Sequence, residues 1–402
     1  MSQKPRQYDV AVLGATGFTA AFVAQIIATT FPSGTRWTIA ARDPIKLAQL
    51  RGRLGQLNPK GPVPGIEFAQ NTKVLLNAIG PYTTYGGLIL EACASTGTSY
   101  LDFSTETPWI EEMILKYHAR AKTNRAIIIP AIGNSSSPSA LIAYLLASQY
   151  PKYHGTDAQE IVSAFGMKIN GMSGGSLASV TAVVARYGIR HFWSPNPYRL
   201  CSKMDKGTCR VIKPFFGYSN DPTLGHLATS FGAPGNEAIV YRSTQLQASV
   251  YSPHITYHEF MPVSSSTQAF IIHFLTKLGI LLLAIWPFRV LVNKLKPESG
   301  SGPCPETTKD EKLEIKAVAR GKDGKELKAE YVFNEPMYYH SAILGTAAVA
   351  VLLDLWKSQG GHTPGGQDPA LDDLYGILTP SCLGMPFVEK LREAGVTLKV
   401  LD

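Results

Sequence analysis

Over the first 150 residues, short apolar runs alternate with longer segments in which apolar residues recur every three to four positions. This is the pattern of strands joined by crossover helices. Strand-like runs fall at 8–13, 37–41, 73–79, 99–103 and 126–130, and helical patterns follow the first run to 28 and recur at 85–95 and 108–124. The run at 73–79 is apolar at most positions, as expected of a central parallel strand covered on both faces. The predicted fold class is therefore α/β, a Rossmann-type doubly wound parallel sheet over residues 1–150. One stretch breaks the rhythm: 66–70 also reads as a strand, yet only Asn71 and Thr72 separate it from the next run. A parallel crossover needs a dozen or more residues, so either a crossover helix is missing or 66–70 is not a parallel strand.

Chemistry enters at the first strand end, where Gly14, Ala15, Thr16, Gly17, Phe18 and Thr19 link strand to helix. Gly14 permits a tight turn, Gly17 lets the backbone approach a diphosphate, and Ala20 lets the helix pack on the sheet. The helix amino terminus offers unpaired N–H groups to the phosphates. The second strand ends at Ala41 and Arg42, where an acid would be expected for a ribose 2′-hydroxyl. Arg42 and Lys46 suit a 2′-phosphate instead, so the expected cofactor is NADP. In a doubly wound sheet ligands sit beyond the strand carboxyl ends, which sets Ala78, Ile79, Gly80 and Pro81 beside that cofactor.

Composition narrows the partners. The 402 residues are 45% hydrophobic and 17% charged, with a net charge of +8, which excludes a disordered chain and suits an anionic partner. The basic residues are dispersed and no base-reading motif occurs, so no nucleic acid is expected. Five widely spaced cysteines, at 93, 201, 209, 304 and 382, argue against a disulfide framework or a zinc ribbon and for a reducing, intracellular setting. His254 and His258 have the spacing of a helical metal pair, but the β-branched and aromatic residues between them favour a strand; no metal is expected.

Six motifs occur together in order: Gly14 to Thr19, Trp37 to Arg42, Leu76 to Tyr82, Tyr100 to Glu106, Ser173 to Gly175, and Gly361 to Gly365. In these the chain resembles the saccharopine dehydrogenase-like oxidoreductases, including the trans-acting enoyl reductase branch. The resemblance implies a NAD(P)-binding first domain and a second α+β domain over 151–340 that closes over the cofactor. A last segment, 341–402, would return to the first domain and include a helix at 342–356. It also implies hydride transfer on C=N, C=O or conjugated C=C bonds. Gly14 to Thr19, Arg42 and Ala78 to Tyr82 would be cofactor contacts, and Asp102 and Glu106 match the family's Asp and Glu. Asn134, Ser173, Gly174 and Gly175 would face the substrate.

A reductase needs a proton source near the atom that gains charge. Tyr82 and Tyr85 are the candidate phenols, and Asp102 and Glu106 the candidate acid and base, although packing for the former pair and capping of the helix at Thr107 for the latter are the simpler readings. Residues 171–175 also match a Gly-x-Ser-x-Gly nucleophile elbow between a strand-like 161–169 and a helical 176–187, which leaves a hydrolase as a competitor. An isomerase or cyclase on the same scaffold, or a non-catalytic lipid-associated binding protein, are further alternatives.

Residues 269–288 are mostly apolar, but Lys277 interrupts them and Arg289, Lys294 and Lys296 follow. The uncharged piece after Lys277 is too short to span a bilayer. The pattern favours an interfacial helix on a membrane or lipid-droplet surface, with a core helix or a homodimer contact as the other reading. The expected function is an NADP-dependent reductase of a hydrophobic small-molecule ketone, imine or enoyl substrate.

Overall fold

The computed structural model describes residues 6–57, 72–193, 196–201, 216–298, 300–358 and 374–401. The run at 66–70, Cys209 and the motif at 361–365 lie outside the described residues. The first part of the chain runs β1 (Tyr8–Leu13), α1 (Phe18–Thr30), β2 (Trp37–Ala40), α2 (Pro44–Leu57), β3 (Thr72–Asn77) and α3 (Tyr82–Thr96). It continues through β4 (Ser99–Asp102), α4 (Thr107–Thr123), β5 (Ile127–Ile129) and α5 (Ser137–His154). Next come β6 (Glu160–Lys168), α6 (Gly174–Tyr187), α7 (Arg190–Trp193), β7 (Tyr218–Asp221), β8 (Gly225–Ala228), α8 (Ala233–Leu246) and β9 (Thr256–Pro262). The chain closes with α9 (Ser266–Ala284), α10 (Trp286–Leu295), β10 (Lys312–Arg320), β11 (Glu326–Phe333), α11 (Met337–Ser358), β12 (Gly376–Ile377), α12 (Gly384–Glu393) and β13 (Thr397–Leu401).

The first sheet is parallel, in the order β12-β5-β4-β3-β1-β2. Side chains alternate across it, as the two-residue period of a strand requires. Val10, Val12, Val74 and Leu76 face a layer containing Val23 and Ile27 of α1, Leu47 and Leu50 of α2, and Leu352 of α11. Leu13, Leu75, Tyr100 and Ile128 face Leu90 of α3 and Trp109 and Met113 of α4. Burial on both faces is why these strands read as continuous apolar runs rather than alternating ones. The chain passes from β1 to β2 on one side and then to β3 on the other. Between β1 and β3 the connections diverge, and a crevice opens beyond their carboxyl ends.

The second sheet is mixed, in the order β13-β11-β10-β6-β9-β8-β7. Leu313, Ile315, Ala317 and Ala319 of β10 join the large core that includes Leu141, Leu145 and Leu146 of α5. Lys312 and Lys316 of the same strand are exposed. The last part of the chain serves both sheets: α11 packs on α1, β12 extends the first sheet beside β5, and β13 pairs with β11 in the second.

The larger differences from the sequence reading lie in two helix starts and one division. Helix α3 begins at Tyr82 rather than 85, α11 at Met337 rather than 342, and the apolar segment at 269–288 is divided between α9 and α10 at Ile285. The core-helix reading of that segment fails, because only Ala269 and Ile280 of α9 are buried while Phe270, Ile271, Phe274, Leu275, Leu281 and Trp286 are exposed. His258 lies buried in β9, a strand as its neighbours required.

Candidate functional site

A cleft of about 1080 Å³ opens at the carboxyl ends of β1 and β3 and is closed from the far side by the amino-terminal ends of α6 and α11. Its floor is the first glycine turn. Gly14 has φ +74°, a region L side chains avoid, and a Cβ there would lie 2.9 Å from Ile79 Cγ1 and 3.2 Å from the Ala78 carbonyl carbon. Gly17 likewise leaves no room, since its Cβ would meet Gly14 O at 3.0 Å. The backbone is therefore laid bare where a diphosphate must approach.

The amides of this turn divide into two sets. Gly14 N and Ala15 N donate to Ala40 O at 2.8 and 3.1 Å, and Gly17 N donates to Gly14 O at 2.7 Å. Those three groups hold the turn in shape and are not offered to a ligand. Ala15 is fully buried and does not line the cleft, so its expected cofactor contact is corrected. Phe18 and Thr19 open α1, where N–H groups lack intrahelical acceptors, and with Thr16 and Gly17 they line the cleft. No acidic residue sits in the first turn of α1 to compete with an anion.

Ala41, Arg42 and Lys46 line the same cleft at the end beside β2. Among the described residues neither cation forms a salt bridge, so both charges are available to a 2′-phosphate. Asp43, missed in the sequence, accepts from Ile45 N and Lys46 N, both at 3.0 Å, and caps α2. Ala78, Ile79 and Gly80 also face the cleft; Pro81 does not, and serves instead as the amino-terminal cap residue of α3. The bare glycine turn, the open amides and the two unpaired cations fit NADP.

The expected acid and base groups are committed elsewhere. Tyr82 is 5% exposed; its hydroxyl donates to Asn77 O at 3.0 Å and accepts from Phe103 N at 3.2 Å, and burial pushes the phenol well above its ordinary range. Asp102 is fully buried and accepts from Ser104 N, Ala131 N and the Tyr100 hydroxyl at 2.9, 3.0 and 2.8 Å. Burial pushes its carboxyl up to about 7 against those bonds, which favour the charged form. Glu106 accepts from Tyr82 N at 2.8 Å, Thr83 N at 2.6 Å, Ser179 Oγ at 2.6 Å and the Thr83 hydroxyl. It caps α3, not the helix that follows it, and it ties α6 to the first sheet. Tyr82, Asp102 and Glu106 are thus held in structural roles, their polar atoms occupied by backbone amides and carbonyls and by the hydroxyls of Tyr100, Thr83 and Ser179. Tyr85 stays half exposed at the mouth of the cleft.

On the opposite wall, Asn134, Ser173 and Gly175 face the cleft, whereas Gly174 does not. A Cβ on Gly174 would lie 2.2 Å from Pro297 O, so this glycine lets the segment after α10 pass. Ser173 caps α6, its hydroxyl accepting from Ser176 N at 3.2 Å and lying 3.1 Å from Ser176 Oγ. The hydrolase reading is corrected on this geometry: β6 belongs to the mixed second sheet rather than the parallel one, and the Ser173 hydroxyl caps a helix end.

Two features escaped the sequence reading. Tyr338, in the first turn of α11, lines the cleft 165 residues from Ser173, whose N–H it accepts at 2.6 Å. Glu259, fully buried on β9, accepts from Asn236 Nδ2 at 2.7 Å and from the Tyr257 and Ser139 hydroxyls, while Asn236 Oδ1 accepts from the hydroxyls of Ser135 and Ser136. Burial pushes the Glu259 carboxyl up to about 7. The second sheet thereby holds the serine turn after β5 in place against the cleft. Neither set has a sequence signature, since each joins residues from separate elements.

Residues 10–129 match the family described as the saccharopine dehydrogenase NADP binding domain. Over 433 aligned residues the chain is 28% identical to the trans-acting enoyl reductase of Mycobacterium tuberculosis (strain ATCC 25618 / H37Rv), with 99% of each chain covered. It is 27% identical to the trans-acting enoyl reductase of Mycobacterium ulcerans (strain Agy99), again over 99% of both. Among solved structures, apo histidine-tagged saccharopine dehydrogenase (L-Glu forming) from Saccharomyces cerevisiae aligns over 98% of this chain and 100% of that one, with a TM-score of 0.53 and 13% identity. That likeness is one of fold.

Proposed function

We propose that the chain, whose residues 10–129 match the saccharopine dehydrogenase NADP binding domain and whose full length resembles the trans-acting enoyl reductases, is an enzyme that reduces a polarised double bond in a hydrophobic substrate with NADPH. The observation that carries the reading is the cleft itself: a bare glycine turn at one end, two unpaired cations beside it, and aromatic side chains (Phe18, Tyr85, Phe103, Tyr338) around the rest. Bound NADPH would supply hydride. The chain's own groups anchor its phosphates at Thr16 to Thr19, admit its 2′-phosphate at Arg42 and Lys46, and leave an apolar space for the acceptor. The names of the relatives make a conjugated enoyl bond the first acceptor to try, with ketones and imines as the wider class. An isomerase is not needed to account for the site. The test is NADPH oxidation followed by absorbance with trans-2-decenoyl-N-acetylcysteamine as probe. Turnover that requires both components is expected; consumption of the probe with no NADPH oxidised would contradict hydride transfer.

The reading extends to place. Between 266 and 296 the chain has four cations, Lys277, Arg289, Lys294 and Lys296, and no acidic residue, and the exposed side chains of α9 and α10 are large and apolar. An apolar face bordered by positive charge is complementary to an anionic lipid surface. On such a surface the substrate would be delivered from the lipid phase. In flotation with phosphatidylcholine vesicles containing phosphatidylserine, the wild type should rise with the lipid. A triple variant with Phe274, Leu275 and Leu281 changed to Asn should stay below. Equal recovery of both in the dense fraction, or self-association of the wild type in its place, would contradict lipid binding.

A further inference from the structure

Resting on the reductase reading, we propose that Tyr338 donates the proton, or the hydrogen bond, to the substrate atom that gains negative charge as hydride arrives. With Tyr82 committed to Asn77 and Phe103, the cleft needs another donor. Tyr338 is 9% exposed and lines the cleft. Its ring stands edge-on to that of Phe18 at 5.1 Å and 83°, next to the dinucleotide turn.

The hydroxyl is held as a working donor would be. Its oxygen accepts the Ser173 N–H at 2.6 Å and lies 3.1 Å from Ser176 Oγ. Because a phenol has one hydrogen and the backbone amide can only donate, the Tyr338 hydrogen is free to turn either to Ser176 or into the cleft. The amide that fixes the oxygen is also placed to stabilise it after the proton leaves. The surroundings allow little slack. Glu311, 1% exposed, accepts from Met337 N at 2.8 Å and from Asn170 N at 2.8 Å, so one carboxylate pins the start of α11 and the strand end that leads to Ser173. Asn134 donates through Nδ2 to Met337 O at 2.9 Å, and its backbone N–H donates to Ser341 Oγ at 3.2 Å. Three chain segments that meet only in the folded protein thus converge on one phenol.

The step balances. Bound NADPH would supply the hydride, and with it the two electrons of the new C–H bond, while the π pair of the acceptor would move onto its oxygen or nitrogen. The Tyr338 O–H bond breaks and that heteroatom takes the proton, leaving NADP+ and a phenolate held by Ser173 N–H. The phenolate recovers a proton from solvent by way of Ser176 Oγ. For a conjugated enoyl substrate the resulting enol then loses its O–H proton as the α carbon gains one, giving the saturated thioester.

The experiment compares wild type, Tyr338→Phe and, as a folding control, Tyr339→Phe, with trans-2-decenoyl-N-acetylcysteamine as substrate. Tyr338→Phe should lower kcat by roughly 100-fold or more while NADPH affinity, read by fluorescence titration, stays within threefold; Tyr339→Phe should match the wild type. A second readout is independent of turnover. With 13Cζ-labelled tyrosine, the resonance absent from Tyr338→Phe should move when NADP+ and the saturated decanoyl thioester are added together. Wild-type turnover with Tyr338→Phe within threefold of it, or a resonance that does not move, overturns the assignment to Tyr338 and leaves the reductase reading intact. No turnover by the wild type overturns both.

Discussion

Replacing Gly14 by valine should raise the dissociation constant for NADPH by about 100-fold, a loss near 2.8 kcal/mol. The cause is local and double. At φ +74° a β-branched residue is strained, and its Cβ would already sit 2.9 Å from Ile79 Cγ1 and 3.2 Å from both the carbon and oxygen of the Ala78 carbonyl. Relief requires β1 and β3 to part at their carboxyl ends, where Ala78 N holds to Leu13 O at 3.0 Å, while Gly14 N and Ala15 N tie the turn to Ala40 O of β2. Those bonds set the path of Thr16 to Thr19, so the open amides move with them. Gly14→Ala should fall between wild type and Gly14→Val, because it adds the strain without the branched methyls. Fluorescence titration with NADPH checks both. An affinity for Gly14→Val within threefold of wild type would mean that the diphosphate does not rest on this turn.

The largest loss of stability is expected at Glu106. Glu106→Ala removes the acceptor of four donors at once, the amides of Tyr82 and Thr83 and the hydroxyls of Thr83 and Ser179, at a site 1% exposed. Buried donors left without partners cost about 1–3 kcal/mol each, partly recovered where water enters. A net cost of about 3–4 kcal/mol follows, on the order of 4–5 °C in Tm for a chain of this length. The carboxylate also opposes the positive end of α3, and Glu106→Gln, which would turn an amide towards amides, should recover less than half. Differential scanning calorimetry supplies the measurement; a Glu106→Ala melting point within 2 °C of wild type would exclude the capping role.

The same residue marks where sequence legibility stops. The strands of the first sheet could be read because burial on both faces leaves unbroken apolar runs, as in Val74 to Leu76. The glycine turn could be read because a tight turn, a close approach and a helix start leave three small residues in fixed order. The start of α3 could not, since its cap comes from Glu106, 24 residues ahead of Tyr82, and no local polar residue signals it. The start of α11 was hidden in the opposite way. Apolar periodicity begins near Ala342, while His340 and Ser341 are buried by partners on other elements and look like loop residues in the sequence. Tyr338 falls in that concealed turn, whereas Tyr82 and Tyr85 follow a strand that the apolar pattern makes legible. The two residues of β12 are too short for any pattern, and only pairing with β5 makes them a strand.

The dinucleotide cleft is tested most directly by a titration of the wild-type chain with NADPH and with NADH under one buffer condition. Saturable binding is predicted for both, with NADPH tighter by roughly tenfold or more through Arg42 and Lys46. Failure of either nucleotide to bind would contradict the dinucleotide cleft, and equal affinities would contradict the part given to the two cations.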